Sequence, residues 1–307
     1  MLSYVARRSL QSLIAVIGLL VLVFFLSRLT GDPAYLYLPL DSTEAQRAAF
    51  NQLHGFDDPL VVQFLRYLGD VLRLDFGMSL SRNLPAMQVA LEAFPQTLKL
   101  AALAMALAIS GSILVGSLAA AHPGGAFDRV ATTASLAGAS APDFWIAIVA
   151  ILVFSVSLGL LPTSGTGSAL HWIMPVAVLT LRPFGLLTQV VRGSMMGVLT
   201  SAYVKTARAK GIARRKVIFV HALRNAMLPV VTVAGDLAAG LVNGAVVVET
   251  IFGWPGIGKL MIDAIMRRDF ALIQATVLVT AVAIFILNIV IDLVYAALDP
   301  RIRHQAA

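Results

Sequence analysis

Several residues able to ionise or to hydrogen-bond strongly stand inside or at the ends of long apolar runs: Asp143, Arg182, Asp236, Glu249 and Asp292, with Asn243 and Asn288 on two of those runs. An ionisable group within a membrane span is costly and faces a bundle interior or a watery cavity, so the chemistry open to these residues is to hold, pass or gate a polar solute. Asp236 lies two turns beyond Pro229, and Asn243, seven residues on, shares its helical face; Gly235, Gly240 and Gly244 let neighbours approach. Arg182, Asp236 and Asn243 are therefore the candidate pathway residues. Arg182, beside Pro183, has three readings: a structural lock with Asp236, a snorkelling cation, or a contact for a solute carboxylate. Asp143 after Pro142 is expected to cap a helix starting at Phe144, and Asp292 with Asn288 to join helices. Glu249, at the end of its run, either gates or docks or caps locally.

Other chemistries are opposed. Gly253-Trp254-Pro255-Gly256-Ile257-Gly258-Lys259 fits the opening of a phosphate-binding loop, but Leu260 stands where a Ser or Thr would hold Mg²⁺ and Pro255 removes a phosphate-facing N–H. A Gly/Pro-shaped turn is the better account. His54, His122, His171, His221 and His304 match no metal-ligand spacing. No nucleophile has a positioned base, and the absence of cysteine removes thiol catalysis and disulfides. No catalytic residue, metal site or bound cofactor is expected, and the chain is not expected to be an enzyme.

The elements that carry these residues follow from composition. The chain has 307 residues, 59% hydrophobic and 13% charged, with mean hydropathy +0.86, which is too few charges to cover a soluble globule of this size. A hydrocarbon core of about 30 Å needs about 20 apolar residues in a helix, because spanning backbone must satisfy its own hydrogen bonds. Apolar runs occur at Ser9 to Ser27, Leu100 to Phe127, Val130 to Leu161 (interrupted at Pro142-Asp143), Trp172 to Val191, Leu228 to Val248 and Leu272 to Leu298. The fold class is an all-α polytopic membrane protein with six transmembrane helices. Arg7, Arg8, Arg129, the cluster Arg192 to Arg224, Arg301 and Arg303 then fall on one side, which puts both termini in the cytoplasm. The net charge of +7 thus reflects topology and membrane lipid, with no nucleic acid expected. Gly31 to Pro95 faces outward, and Pro59 to Gly77 places Leu60, Phe64, Leu65, Leu68, Val71 and Leu72 at helical spacing in a short amphipathic helix. The organisation is 1–30 for the tail and span one, 31–95 for an extracytoplasmic segment, and 96–307 for a core of five spans with a cytoplasmic segment at 201–228.

That segment is too charged for lipid. Tyr203 to Lys210 and Ala213 to Asn225 both have helical composition, separated by Gly211 at a position that favours the left-handed region. Two short helices at an angle are expected, with Lys205, Arg208, Lys210, Arg214, Arg215 and Lys216 around an apolar tip of Ala207, Ala209 and Ile212. An ordinary positive loop beside anionic lipid is the competing reading.

Lys205-Thr206-Ala207, Gly211 and Leu228-Pro229 resemble the EAA loop of ABC importer permeases, in the variant of the dipeptide, oligopeptide and nickel family; Lys205 replaces the acidic first position, and the Gly to Leu-Pro spacing is longer than in the general motif. Leu29 with Gly31-Asp32-Pro33 resembles that family's LxPGDP element, with Thr30 where proline is usual, and Gly55-Phe56-Asp57 with Pro59-Leu60 its LGLDxPL. Gly159, Leu161-Pro162 and Gly165 resemble its third-loop pattern. Gly244 to Glu249, Phe252, Pro255-Gly256, Gly258, Asp269 and Asp299-Pro300-Arg301 resemble its C-terminal half. The long outer segment looks like the first of the two permeases that the family pairs. The resemblance implies a type I importer-like permease of a bacterial inner membrane, multi-pass, moving peptides or a related small solute such as a nickel chelate or glutathione. It implies a second homologous permease, two cytoplasmic ATPase subunits (or one fused) that hold ATP and Mg²⁺, and an extracytoplasmic solute-binding protein. Tyr203, Lys205, Thr206, Ala207, Lys210, Gly211, Ile212 and Arg214 would couple to the ATPases. Glu249, Phe252, Trp254, Pro255 and Gly256 would form an outer gate or binding-protein contact. A self-contained, ion-gradient-driven transporter or channel is the alternative from another class; it calls for inverted repeats or a carboxylate relay, and neither is visible.

Overall fold

The computed structural model describes residues 14–25, 34–38 and 41–298. The described residues are helical apart from turns and one isolated antiparallel bridge between Met78 and Pro85. Four helices are long and apolar enough to cross a membrane: α5 (Ala86–Ala121), α8 (Leu170–Leu199), the helix that begins at Arg214, and α13 (Phe270–Leu298). The interruption at Pro142-Asp143 is a break. There α6 (Ala126–Ser140) and α7 (Asp143–Ala150), which runs on through a wide π stretch at Ile151–Ser157, bend by 101°; counted as one span they bring the total to five. The first apolar run appears as α1, Ile14–Phe25; the rest of that run, the Gly31-Asp32-Pro33 element and Asp299-Pro300-Arg301 lie outside the described residues.

Two structural units divide the chain. One comprises Met1–Pro95 with Lys259–Phe285, the other Gln96–Gly258 with Ile286–Ala307. In the first unit α2 (Ala34–Tyr37) precedes α3 (Glu44–His54), which opens on a capping box in which the Thr43 hydroxyl accepts from the Gln46 amide and the Gln46 side chain accepts from the Thr43 amide. The amphipathic helix is α4 (Leu60–Leu72), and its buried face matches the expected one in part: Phe64 and Val71 pack inward as expected. Leu60, Leu65 and Leu72 are exposed, whereas Gln63 and Tyr67 are buried. Aromatic stacking decides the face: Tyr67 lies 5.2 Å from Phe24 of α1, centroid to centroid, and Phe64 joins the same cluster with Leu20 and Leu278. Gln63 then turns its amide onto the Phe56 and Asp58 carbonyls, both at 2.8 Å, and holds the turn before α4.

The second unit packs around α8. Gly111 and Gly116 of α5 face it as their small size suggests: a Cβ at Gly116 would lie 2.8 Å from Cβ of Val191, and one at Gly111 would lie 3.0 Å from the Phe184 ring. Leu179, Leu187, Val191 and Met195 of α8 are consequently buried together with Ala226, Val230 and Ala245 of the fifth apolar run.

Candidate functional site

The basic segment starts with α9 (Ala202–Ala209), and Gly211 follows it with φ 75°, the left-handed conformation expected there. Ala213 to Asn225 is not a second short helix. It forms one rod with the next span: α10 (Arg214–Lys216), a π stretch at Val217–Ala222 and α11 (Leu223–Ile251) follow without a break. The apolar residues after Lys216 pass straight into the span's own core, with Val217, Ile218 and Ala222 buried, so nothing ends the helix. The expected apolar tip is also corrected. Val204 is fully buried, Ala207 and Ile212 pack against the same core, and only Ala209 remains exposed. Lys205, Thr206, Lys210, Gly211 and Arg214 are exposed. Asn225 donates its amide to the Tyr203 hydroxyl at 2.8 Å, which ties α9 to the rod, and Arg214 Nη2 donates to the Ala121 carbonyl at 2.7 Å, which ties the rod to the end of α5.

A second fastening at this end was missed in the sequence. Asp128, 3% exposed in the first turn of α6, accepts from the Gly124 amide at 2.8 Å and receives both Nη2 (2.8 Å) and Nε of Arg192. Its signal was present: an acid in the first turn of a helix that follows Pro-Gly-Gly.

The far end of α11 carries the Gly/Pro turn. Glu249 is fully buried and accepts from the Thr97 hydroxyl of α5 at 2.5 Å and from the Gly258 amide at 2.8 Å, while Thr97 Oγ1 accepts from the Ile257 amide at 2.9 Å. Trp254 Nε1 donates to the Gln96 carbonyl at 3.2 Å, and the Trp254 ring meets that of Trp172 edge-on at 4.5 Å. Phe252 accepts from the Gly165 amide. The glycines here are matters of space: a Cβ on Gly256 would collide with the Glu249 carboxylate, and one on Gly258 would come 2.7 Å from Cα of Val246. Of the five residues singled out in this turn, Glu249, Phe252, Trp254 and Gly256 are buried and Pro255 is exposed. Thr97, the hub of the network, was not singled out, because a lone threonine near Pro95 carries no pattern.

Within the spans, Asp236 is exposed on α11, on a face shared with Pro229, Thr232 and Gly240, whereas Val230, Ala234, Leu241 and Ala245 turn inward. The side chains of Asn243 and Asp292 lie outside the described residues. Arg182 is exposed on α8, and among the described residues no ion pair joins it to Asp236. Asp143 is the first residue of α7 behind Pro142 and makes no side-chain cap, contrary to expectation. The described residues hold no group of three or more His, Asp or Glu arranged for a metal ion.

Long apolar helices around a small-residue core, with polar groups held on exposed faces, define a polytopic membrane protein. Residues 112–304 match the model of the binding-protein-dependent transport system inner membrane component, and the chain belongs to that family. It is 37% identical over 316 residues to the oligopeptide transport system permease protein AppB of Bacillus subtilis (strain 168), covering 99% of this chain and 100% of the relative. It is 40% identical over 336 residues to the di/tripeptide transport system permease protein DppB of Pseudomonas aeruginosa, and 38% identical over 306 residues to the glutathione transport system permease protein GsiC of Salmonella typhi, with the same coverage. A solved structure described as an amino acid ABC transporter with histidines superposes with a TM-score of 0.51 over 68% of this chain and 94% of that one; at 14% identity this is a likeness of fold.

Proposed function

We propose that this chain is the transmembrane permease subunit of an ATP-driven, binding-protein-dependent importer of di- or oligopeptides or related small solutes. The observation that carries the reading is the exposed basic elbow at Gly211, built on the end of a helical rod that runs on through the adjacent span. A push on α9 there is delivered to a whole span, as a lever driven by a nucleotide-dependent partner requires. In this reading α1, α5, the α6–α7 pair, α8, α11 and α13 are six spans, both termini and the elbow are cytoplasmic, and residues 1–30, 31–95 and 96–307 form tail with first span, outer segment and core. Two ATPase subunits (or one fused) bind ATP and Mg²⁺ themselves, and one of them docks on Tyr203 to Arg214. A second permease completes the pathway, an extracytoplasmic binding protein delivers solute to the turn at Pro255, and the membrane is the bacterial inner membrane. Arg182, Asp236 and Asn243 face the pathway; an exposed carboxylate in a span needs water or a partner chain beside it, never hydrocarbon. The relatives favour this reading over a self-contained gradient-driven carrier.

The test is to tag the chain at its C-terminus, extract it mildly from its own cells and identify every co-purifying protein and small molecule by mass spectrometry. A similar permease, one or two ATPases and a loaded binding protein are expected, and the last names the solute. Repeated recovery of this chain alone would sink the proposal.

A further inference from the structure

The Glu249 carboxylate is fully buried, sits at the end of the rod that begins beside the elbow, and is held by a hydroxyl on a different helix. A local cap would not need Thr97: the Gly258 amide already lies within reach, at 2.8 Å. Thr97 instead joins three pieces of chain at one atom. Its Oγ1 accepts from Ile257 at the start of α12 (Ile257–Met266) and donates to Glu249 at the end of α11, while its backbone belongs to α5. A displacement of α11 relative to α5 at this end must stretch the Thr97–Glu249 bond, which is short, charged and shielded from water, together with the neutral Trp254–Gln96 bond beside it.

We infer that Thr97 and Glu249 form a latch on the outer end of the pathway, closed in the conformation described here, which has to open when the elbow drives the rod. The pair positions the rod and touches no solute. This inference rests on the importer reading above. With the latch intact, the conformation that accompanies ATPase closure is disfavoured until a partner at the outer turn assists. With it broken, the rod moves on ATP alone, and hydrolysis runs without cargo. Thr97→Val has the shape of the native side chain but no hydroxyl, so Glu249 loses a donor and the Ile257 amide an acceptor. Glu249→Gln keeps the size but removes the charge and leaves one acceptor oxygen where Thr97 and Gly258 now each donate to their own. Thr97→Ser keeps the hydroxyl.

The experiment measures ATP hydrolysis by the purified complex in lipid nanodiscs, with Mg-ATP and no binding protein. The expected result is a rise of about tenfold for T97V and for E249Q, equivalent to about 1.4 kcal/mol, with T97S restoring the low wild-type rate. Low rates in assembled T97V and E249Q complexes would overturn the latch while leaving the importer reading intact. Failure of both variants to assemble while T97S assembles would mark a structural staple and overturn it too. Wild-type preparations in which no ATPase accompanies the chain would overturn both.

Discussion

Arg192 closes on Asp128 with two nitrogens, and the carboxylate it holds is 3% exposed, so α8 is tied to the first turn of α6 by an ion pair with a buried carboxylate and a part-exposed guanidinium. Removing one partner leaves the other charge stranded. Arg192→Ala is expected to cost about 3 kcal/mol, read as a lower thermal midpoint of the purified complex. Arg192→Lys should recover only part of this, since an ammonium cannot reproduce the fork that meets both oxygens. An unchanged midpoint in the alanine variant would contradict this account.

Gly211 has φ 75°, and a Cβ there would meet nothing within 4 Å, so its requirement is backbone conformation alone. Gly211→Val should be inserted in normal amounts yet lose coupled uptake by about tenfold, in keeping with a left-handed cost of about 1–2 kcal/mol for a side-chain-bearing residue. Gly211→Asn, which tolerates that region, should be milder. Equal uptake by the valine variant and the wild type would refute a shape requirement at the elbow.

Asp269, in the unit that contains α4, is fully buried and accepts from the Ser79 hydroxyl at 2.6 Å, from the Ser81 amide and hydroxyl at 2.9 Å each, and from the Leu272 amide at 3.2 Å. Burial alone would raise its pKa, but these four donors outweigh it and hold the carboxyl below the usual range. A depressed folded pKa means that the stabilisation is present above the unfolded value, about 3.9, and is lost as pH falls through the lower folded value. Asp269→Asn should therefore lower stability at neutral pH, with the gap to wild type closing on acidification below about pH 4. Thermal midpoints across that range check it, and a gap that widens in acid would refute the assignment.

Asp236 lies exposed with Pro229, Thr232 and Gly240 on one face of α11. If that face lines the pathway, Asp236→Asn should reduce uptake by about tenfold, or 1.4 kcal/mol, while ATP hydrolysis and membrane abundance hold. Loss of assembly with the partner permease, with transport normal in what remains assembled, would place the residue in a subunit contact instead.

Helix positions were legible because 20-residue apolar runs admit one structure in lipid; their ends were not. The run from Leu228 extends back to Arg214 because Val217, Ile218 and Ala222 bury themselves, which periodicity across a charged segment does not reveal. Gly211 was legible from residue type, since few other residues take a positive φ cheaply. The faces of short helices were less so: α4 has leucines on several sides, and only the position of Phe24 decides that Tyr67 goes in and Leu72 stays out. Long-range polar pairs were the hardest. Thr97 and Glu249, or Asp128 and Arg192, are far apart in sequence, and a single chain offers no pattern that links them.

The rod and α5 share two fastenings, Arg214 to Ala121 at one end and Glu249 to Thr97 at the other. Between them α5 has a contour of about 36 Å and the rod about 52 Å at 1.5 Å per residue. Two straight parallel cylinders of such unequal length cannot be pinned together at both ends, and the reach of an arginine side chain absorbs only part of the difference. The longer member must bow or slant across the shorter, with Pro229 and the π stretch at Val217–Ala222 as the places where an α-helical ladder yields. The pair is thus tied at two points that lie unequal lengths of helix apart, and to bring the two helices straight and side by side one of the two knots has to be untied.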